Sequence, residues 1–99
     1  MSLEIFDNTF VGLERGIEKT TKIQSIVAHN IANANNPDFE PLEFNELLNK
    51  AVKRIDRKRV VLEEEMADLS KNSLRHSAYI KLLASKINVM KTVATMGRR

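Results

Sequence analysis

Ala28-His29-Asn30-Ile31-Ala32-Asn33-Ala34-Asn35-Asn36-Pro37-Asp38-Phe39 is the stretch whose reading decides the fold. Four asparagines, Asn30, Asn33, Asn35 and Asn36, fall within seven residues and are followed by a proline. Asparagine is a poor helix former because its amide competes for backbone hydrogen bonds. It also enters the left-handed region more easily than most residues. Pro37 pushes Asn36 away from the α region. The first helix is therefore expected to stop at Asn35 or Asn36, with 37–41 non-helical and Phe39 anchoring the segment beyond the turn. Asn30 and Asn33 lie earlier, on the helix itself, where a stop signal alone does not require them.

Upstream of this stretch, Phe6, Phe10, Leu13, Ile17, Thr20, Gln24, Val27, Ile31 and Ala34 recur in alternating steps of four and three. That is a heptad seam, polar at its middle, with Ile23 and Ile26 as a second apolar edge. It predicts a helix over 3–35, followed by a turn over 36–42. Gly12 and Gly16 are spaced for close approach of another backbone. The plainer reading is that each only weakens the helix by about 1 kcal/mol relative to alanine.

Downstream, Phe44, Leu47, Leu48, Ala51, Val52 and Ile55 recur at helical spacing and predict a short amphipathic helix over 43–58. Its other face carries Lys50, Lys53, Arg54, Arg57 and Lys58, with Arg59 following. This cluster is the one local sign of contact with nucleic acid or an anionic membrane. The preferred reading is a solvated helix face beside the acidic Glu63, Glu64 and Glu65, since no aromatic residue is interleaved for base stacking. The last segment, 60–96, repeats the heptad: Leu62, Met66, Leu69, Ser73, His76, Ile80, Leu83, Ile87, Met90 and Ala94. Leu74, Leu82, Val89 and Val93 widen its stripe. Acids open it and bases close it, which suits the helix dipole. The expected fold is all-α: one helical unit over 1–99, with two long terminal heptad helices and a shorter middle one. The long helices form a coiled-coil-like hairpin or pair between subunits.

Composition narrows the function classes. Ninety-nine residues allow one small domain with a limited core. There is no cysteine, hence no disulfide framework or thiolate metal site. The net charge of +3 is modest for a dedicated polyanion binder. No apolar run approaches the ~18–20 residues of a membrane span. The N-terminus is acidic where a cleaved secretory signal needs a basic start. His29 and His76 lie far apart in sequence. Glu63, Glu64 and Glu65 point in different directions on a helix, and no glycine-rich phosphate loop occurs. Neither catalysis, a metal nor a cofactor is expected.

Ala28-x-Asn30-Ile31-Ala32-Asn33-Ala34-x-x-Pro37-x-Phe39 resembles the N-terminal motif of the bacterial flagellar axial proteins, the rod and hook subunits. Their pattern is Ala-x-Asn-Ile-Ala-Asn-Ala-x-Thr-Pro-Gly-Tyr/Phe. Glu43-Phe44-x-x-Leu47-Leu48 is similar to the small proximal-rod subunit of that family. So is Leu62-Glu63-x-Glu65-Met66-x-x-Leu69-x-x-Asn72-Ser73-Leu74-x-x-x-Ala78, with Lys86-Ile87 and Met90-Lys91 beyond it. The resemblance covers nearly the whole chain and is weakest over 49–59. Asn36 stands in place of threonine, Asp38 in place of glycine, and Val61 where the family tends to have a capping Asp or Asn. Without that cap, the middle and last helices are free to run together. The chain is also short for the family, chiefly in the central connection.

The resemblance implies a structural subunit of the flagellar proximal rod, in the periplasmic part of the basal body. It implies export unfolded through the flagellar type III channel without signal cleavage. It further implies assembly into a tube through terminal helices. The implied partners are other copies, other rod subunits, the adapter and MS ring at the rod base, and the export apparatus. Asn30, Ile31, Asn33, Pro37 and Phe39 are the implied assembly and register positions. Asn30 and Asn33 would act as register-setting hydrogen bonders; the alternative for both is a polar flank at a fraying helix end. The competing function class is a small helical nucleic-acid- or partner-binding module using the basic segment 50–59. A rod subunit should bind DNA only weakly and without sequence preference.

Overall fold

The computed structural model describes residues 3–55 and 59–97, and side-chain environments from Asn8 onward. Phe6 of the first seam, and Arg57 and Lys58 of the basic segment, lie outside the described side chains. Two long helices, α1 (Leu3–Ala32) and α2 (Leu62–Met96), enclose a two-stranded antiparallel hairpin, β1 (Leu42–Asn45) and β2 (Lys50–Lys53). The helices lie antiparallel: Gly16 meets Tyr79, Thr20 meets His76, and Asn30 meets Glu65. The molecule is long and thin, 65 × 23 × 15 Å.

The α1 helix ends at Ala32, three residues before Asn35, the earlier of the two stops expected. Beyond Ala32 the chain tightens into i→i−3 bonds, Ala34 N to Ile31 O (3.2 Å) and Asn36 N to Asn33 O (3.0 Å). Asn36 then closes a turn on itself, its Oδ1 accepting from Asp38 N at 3.1 Å. The left-handed residue is Asn49, at φ 53°, and not an asparagine of the 28–39 stretch.

The amphipathic middle helix expected over 43–58 is not formed, and the all-α reading is corrected to a mostly helical chain with a small sheet. The apolar residues at 44, 47, 48, 51, 52 and 55 do fit a helix. What overrides that pattern is tertiary. β1 pairs with β2 in the register Leu42↔Lys53, Glu43↔Val52, Phe44↔Ala51 and Asn45↔Lys50. The Arg54 N–H extends the ladder to Pro41 O at 2.8 Å. Asn45 and Asn49 bracket the turn, with Asn45 Oδ1 accepting from Leu48 N at 3.0 Å. These bonds satisfy the backbone in an extended form that also docks on α1.

No side chain caps the start of α2: Val61 is extended and offers no side-chain hydrogen bond. Three acids, Glu63, Glu64 and Glu65, occupy its first turn, where the positive end of the helix dipole favours them. The core is thin. Among the described residues the buried hydrophobic side chains are Leu13, Ile26 and Val27, and none of the three is sealed off completely.

Candidate assembly interface

A polar knot fixes the shape of the molecule. Asn30 is 0% exposed on the inner face of α1. Its Oδ1 accepts from Leu42 N at 2.9 Å, and its Nδ2 donates to Leu42 O at 2.9 Å. One side-chain amide thus satisfies both backbone groups of the first residue of β1, as a neighbouring strand would. The same Nδ2 reaches Glu65 Oε2 at 3.4 Å. Glu65 is 1% exposed, and its other oxygen accepts from Arg54 Nη2 at 2.7 Å. A buried carboxylate is tolerable only when paired and hydrogen-bonded, and here it is both. The knot therefore joins α1, the hairpin and the start of α2 at one point.

A second polar layer lies about two helical turns away. Buried Asn72 donates from Nδ2 to Thr20 O (2.7 Å) and to Gln24 Oε1 (3.0 Å). Its Oδ1 has no partner among the described residues. The Thr20 hydroxyl lies 2.9 Å from Gly16 O and 2.7 Å from His76 Nδ1, so it links its own helix to the imidazole on α2. One turn on, a Cβ at Gly16 would sit 2.6 Å from the Tyr79 ring, so glycine is what permits this approach. Gly12 faces open space.

The assembly positions read from the sequence separate here. Asn30 reaches across to other elements. Asn33 bonds only its own helix, Nδ2 to His29 O at 2.9 Å, beside the backbone bond that the same carbonyl accepts from Asn33 N at 3.2 Å. Phe39 is half-buried and packs edge-on to His29 at 5.2 Å between ring centroids; Ile31 is half-buried and Pro37 exposed. On α1, Leu13, Thr20 and Val27 are buried and Phe10, Ile17 and Gln24 half-buried.

On α2 the face toward α1 is Glu65, Leu69, Asn72, His76, Tyr79, Leu83 and Lys86, again in alternating fours and threes. It shares Leu69, His76 and Leu83 with the heptad read from sequence. Elsewhere it is displaced by one residue, because Arg54 recruits Glu65 and Thr20 with Gln24 recruits Asn72. Leu62, Met66, Ile80, Ile87 and Met90 are consequently exposed on the outside of the hairpin, as are Leu74, Leu82, Val89 and Val93.

Among its described residues, the basic segment does not gather into one face. Arg54 is consumed inside the knot, and Lys53 pairs with Glu40 at 2.7 Å. That pairing holds the Lys53 ammonium above its usual range, first through the hydrogen bond to Glu40 and then through its charge. Lys50 and Arg59 are exposed. Among the described residues no group of three or more His, Cys, Asp or Glu is placed to hold a metal. Among them, too, no helix is long and apolar enough to cross a membrane.

Sequence reasoning passed over Glu65, Asn72 and Arg54. The first two stood inside the matched run 62–78 and read there as one acid among three and a plain polar residue. Polar residues held at core-facing steps of a heptad were the available signal.

No known family model matches the chain. It is similar to the flagellar basal body rod protein FlgB of Bacillus subtilis (strain 168), 21% identical over 129 aligned residues. The alignment takes in 97% of this chain and all of that protein. It is longer than the 99 residues here, so the relative carries insertions against this chain.

Proposed function

We propose that the chain is a structural subunit of the bacterial flagellar rod, joined to its neighbours through the outward faces of α1 and α2. The observation that carries this reading is the end-to-end likeness to a rod protein, which supports a structural role in the flagellar rod at the level of the family. The geometry agrees with it. A hairpin that buries asparagine, threonine and glutamate while leaving Leu62, Met66, Ile80, Ile87 and Met90 outside has its apolar surface where a neighbour would cover it. The partners are other copies of the chain, other rod subunits and the adapter at the base of the rod. The protein reaches the basal body by flagellar export, without signal cleavage. The basic segment offers a nucleic-acid module little, with Arg54 and Lys53 both engaged within the molecule.

Deletion of the gene in its own bacterium is expected to abolish swimming and leave basal bodies without a completed rod. Restoring the wild-type chain should rescue both. The Ile87→Asp variant should be exported and fail to assemble, because export threads an unfolded chain while assembly reads a packed face. Normal basal bodies in the deletion strain would refute the reading. Completed rods with Ile87→Asp would show that this face is not an assembly surface.

A further inference from the structure

The two edges of the hairpin differ. The Arg54 N–H bond to Pro41 O sets which residues of the ladder bond each other: 41 with 54, 43 with 52 and 45 with 50. The residues between them, Leu42 and Phe44 on β1 and Ala51 and Lys53 on β2, turn their backbone groups outward. On the β1 side Asn30 takes both groups of Leu42, and α1 runs alongside. The β2 side is open. The N–H and C=O of Ala51 and of Lys53 bond no group among the described residues. Both residues are exposed, and β2 does not pack on α2.

This edge is fixed at both ends. Lys22 Nζ donates to Asn49 O at 3.0 Å, Asn49 Nδ2 donates to Glu18 Oε1 at 3.4 Å, and Lys19 pairs with Glu46, so the turn leading into β2 is tied to α1. Beyond the strand, Arg54 is held by Glu65 at 2.7 Å. Little ordering entropy remains to be lost on binding. An open edge is a template for a further strand, and its charge decides which strand fits. Lys50-Ala51-Val52-Lys53, with Arg54 following, carries no acid. Two copies of β2 side by side would bring basic side chains together in every register with no acid opposite them. Lysine on the edge therefore turns away a second copy, and by the same charge it favours an acidic strand. Lys50 is exposed and forms no ion pair among the described residues. The Lys53 pair with Glu40 lies in the open, with side chains 77% and 64% exposed, so Lys53 can exchange it for another acid at little cost. Ile55, 85% exposed, adds apolar surface where the edge ends.

We propose that the free edge of β2 takes an acidic, extended segment of another protein as the third strand of the sheet. The backbone of that segment bonds the outward groups of Ala51 and Lys53. Its acids stand opposite Lys50 and Lys53, and so lie three residues apart, because paired strands advance in step. Main-chain bonds supply the affinity, and the two charge pairs supply the choice of partner. The edge is separate from the outward faces of α1 and α2, and the inference does not rest on the rod reading.

The test titrates the end-capped peptide Thr-Val-Glu-Val-Thr-Glu-Val-Thr into the isotope-labelled full chain and follows its amides by NMR. A control peptide has lysine in place of both glutamates. The Ala51 and Lys53 amide protons should move downfield and, at saturation, exchange with solvent about tenfold more slowly or better, as new strand bonds require. The control should bind about tenfold more weakly or worse. Ala51→Pro removes an outward donor and spares the β1–β2 ladder, since proline is tolerated on an edge whose N–H faces solvent. It should abolish binding while the Val52 amide, which faces Glu43, stays protected. Lys50→Glu should weaken the acidic peptide about tenfold and strengthen the lysine control, a reversal that a merely disturbed hairpin would not give. If Ala51→Pro loses the Val52 protection, the Lys50→Glu reversal decides alone. Several results would overturn the proposal. No change at Ala51 and Lys53 with either peptide means that the lysines only guard the edge. Equal binding of the two peptides, or unchanged binding by Ala51→Pro, means that neither charge nor backbone is read there. Protection of Ala51 and Lys53 that grows with chain concentration in the absence of peptide means that a second copy is the occupant.

Discussion

Asn30→Ala should cost the folded chain about 2–4 kcal/mol. Asn30 holds both backbone groups of Leu42 at 2.9 Å and touches Glu65 at 3.4 Å. After truncation Leu42 O retains Arg54 Nη2 at 3.4 Å, and Glu65 retains Arg54 at 2.7 Å. The Leu42 N–H loses its side-chain acceptor, and a buried donor without a partner costs about 1–3 kcal/mol. The void left by the amide adds about 1 kcal/mol at the usual cost per unit of cavity volume. Set against the roughly 5–15 kcal/mol of typical domains, and a core of few buried hydrophobic residues, that is a large share of the total. Asn30→Asp should cost more, because it places a second carboxylate beside Glu65 and removes the donor to Leu42 O. Asn33→Ala, which loses one exposed bond to its own helix, should cost under about 1 kcal/mol. Urea unfolding at pH 7, followed by circular dichroism at 222 nm, measures all three. If Asn30→Ala falls within about 0.5 kcal/mol of the parent, or matches Asn33→Ala, the knot does not hold the fold together.

Gly12→Ala should raise the melting temperature, by up to about 1 kcal/mol of helix propensity, since nothing lies within 4 Å of its added Cβ. Gly16→Ala should destabilise the chain by about 1–3 kcal/mol and lower the melting temperature, because that Cβ would meet the Tyr79 ring at 2.6 Å; thermal melts compare the two. Ile87→Asp should change the stability of the isolated chain by under about 0.5 kcal/mol, and half-buried Leu83→Asp by about 2 kcal/mol or more. Glu18 and Glu46 are held below their ordinary 4.5, Glu18 chiefly by its hydrogen bond to Lys22 and Glu46 by that to Lys19. Their folded-state values are depressed, so the ties of Glu18 to Lys22 and Asn49 and of Glu46 to Lys19 are fully present above 4.5 and are lost as pH falls through the lowered values. Measured against the intrinsic exchange rate at each pH, the Leu48 amide should therefore lose hydrogen-exchange protection in acid and show no change in protection between about pH 5 and 8.

The two long helices were legible because their apolar and polar residues keep helical spacing for thirty residues and more. The break at Pro37 was legible because proline constrains the chain locally. The hairpin was not, because its strands are four residues each and its apolar spacing fits either structure. What decides for strand is a side chain twelve residues away, Asn30, bonding Leu42 as a strand would. Pairwise chemistry of that kind leaves no periodic trace. The seam of α2 was half legible for a related reason. Its period was right, and its rotation about the helix axis is set by Glu65 and Asn72, which a count of hydrophobic residues discards.

That rotation has an energetic meaning. Turning α2 by one residue would bring Met66, Ile80 and Ile87 against α1, the choice of a hairpin with only itself to satisfy. It would also carry Glu65 away from Arg54 and Asn30, and Asn72 away from Thr20. The buried charge pair would break, at a cost of about 3–5 kcal/mol, and the hairpin would lose its attachment to α2. Keeping the polar alignment fixes the register of the two helices, as a buried asparagine does in a coiled coil. In exchange, Leu62, Met66, Ile80, Ile87 and Met90 each stay roughly half in water. At about 1 kcal/mol forgone for each, that is on the order of 5 kcal/mol of burial left unrealised, comparable to the whole stability of a marginal domain. In the rod reading proposed above, a neighbouring surface supplies it. The asparagines and glutamate that fix the pairing of α1 and α2 are thus what leave these apolar residues exposed, on the surface where the proposed rod contacts fall.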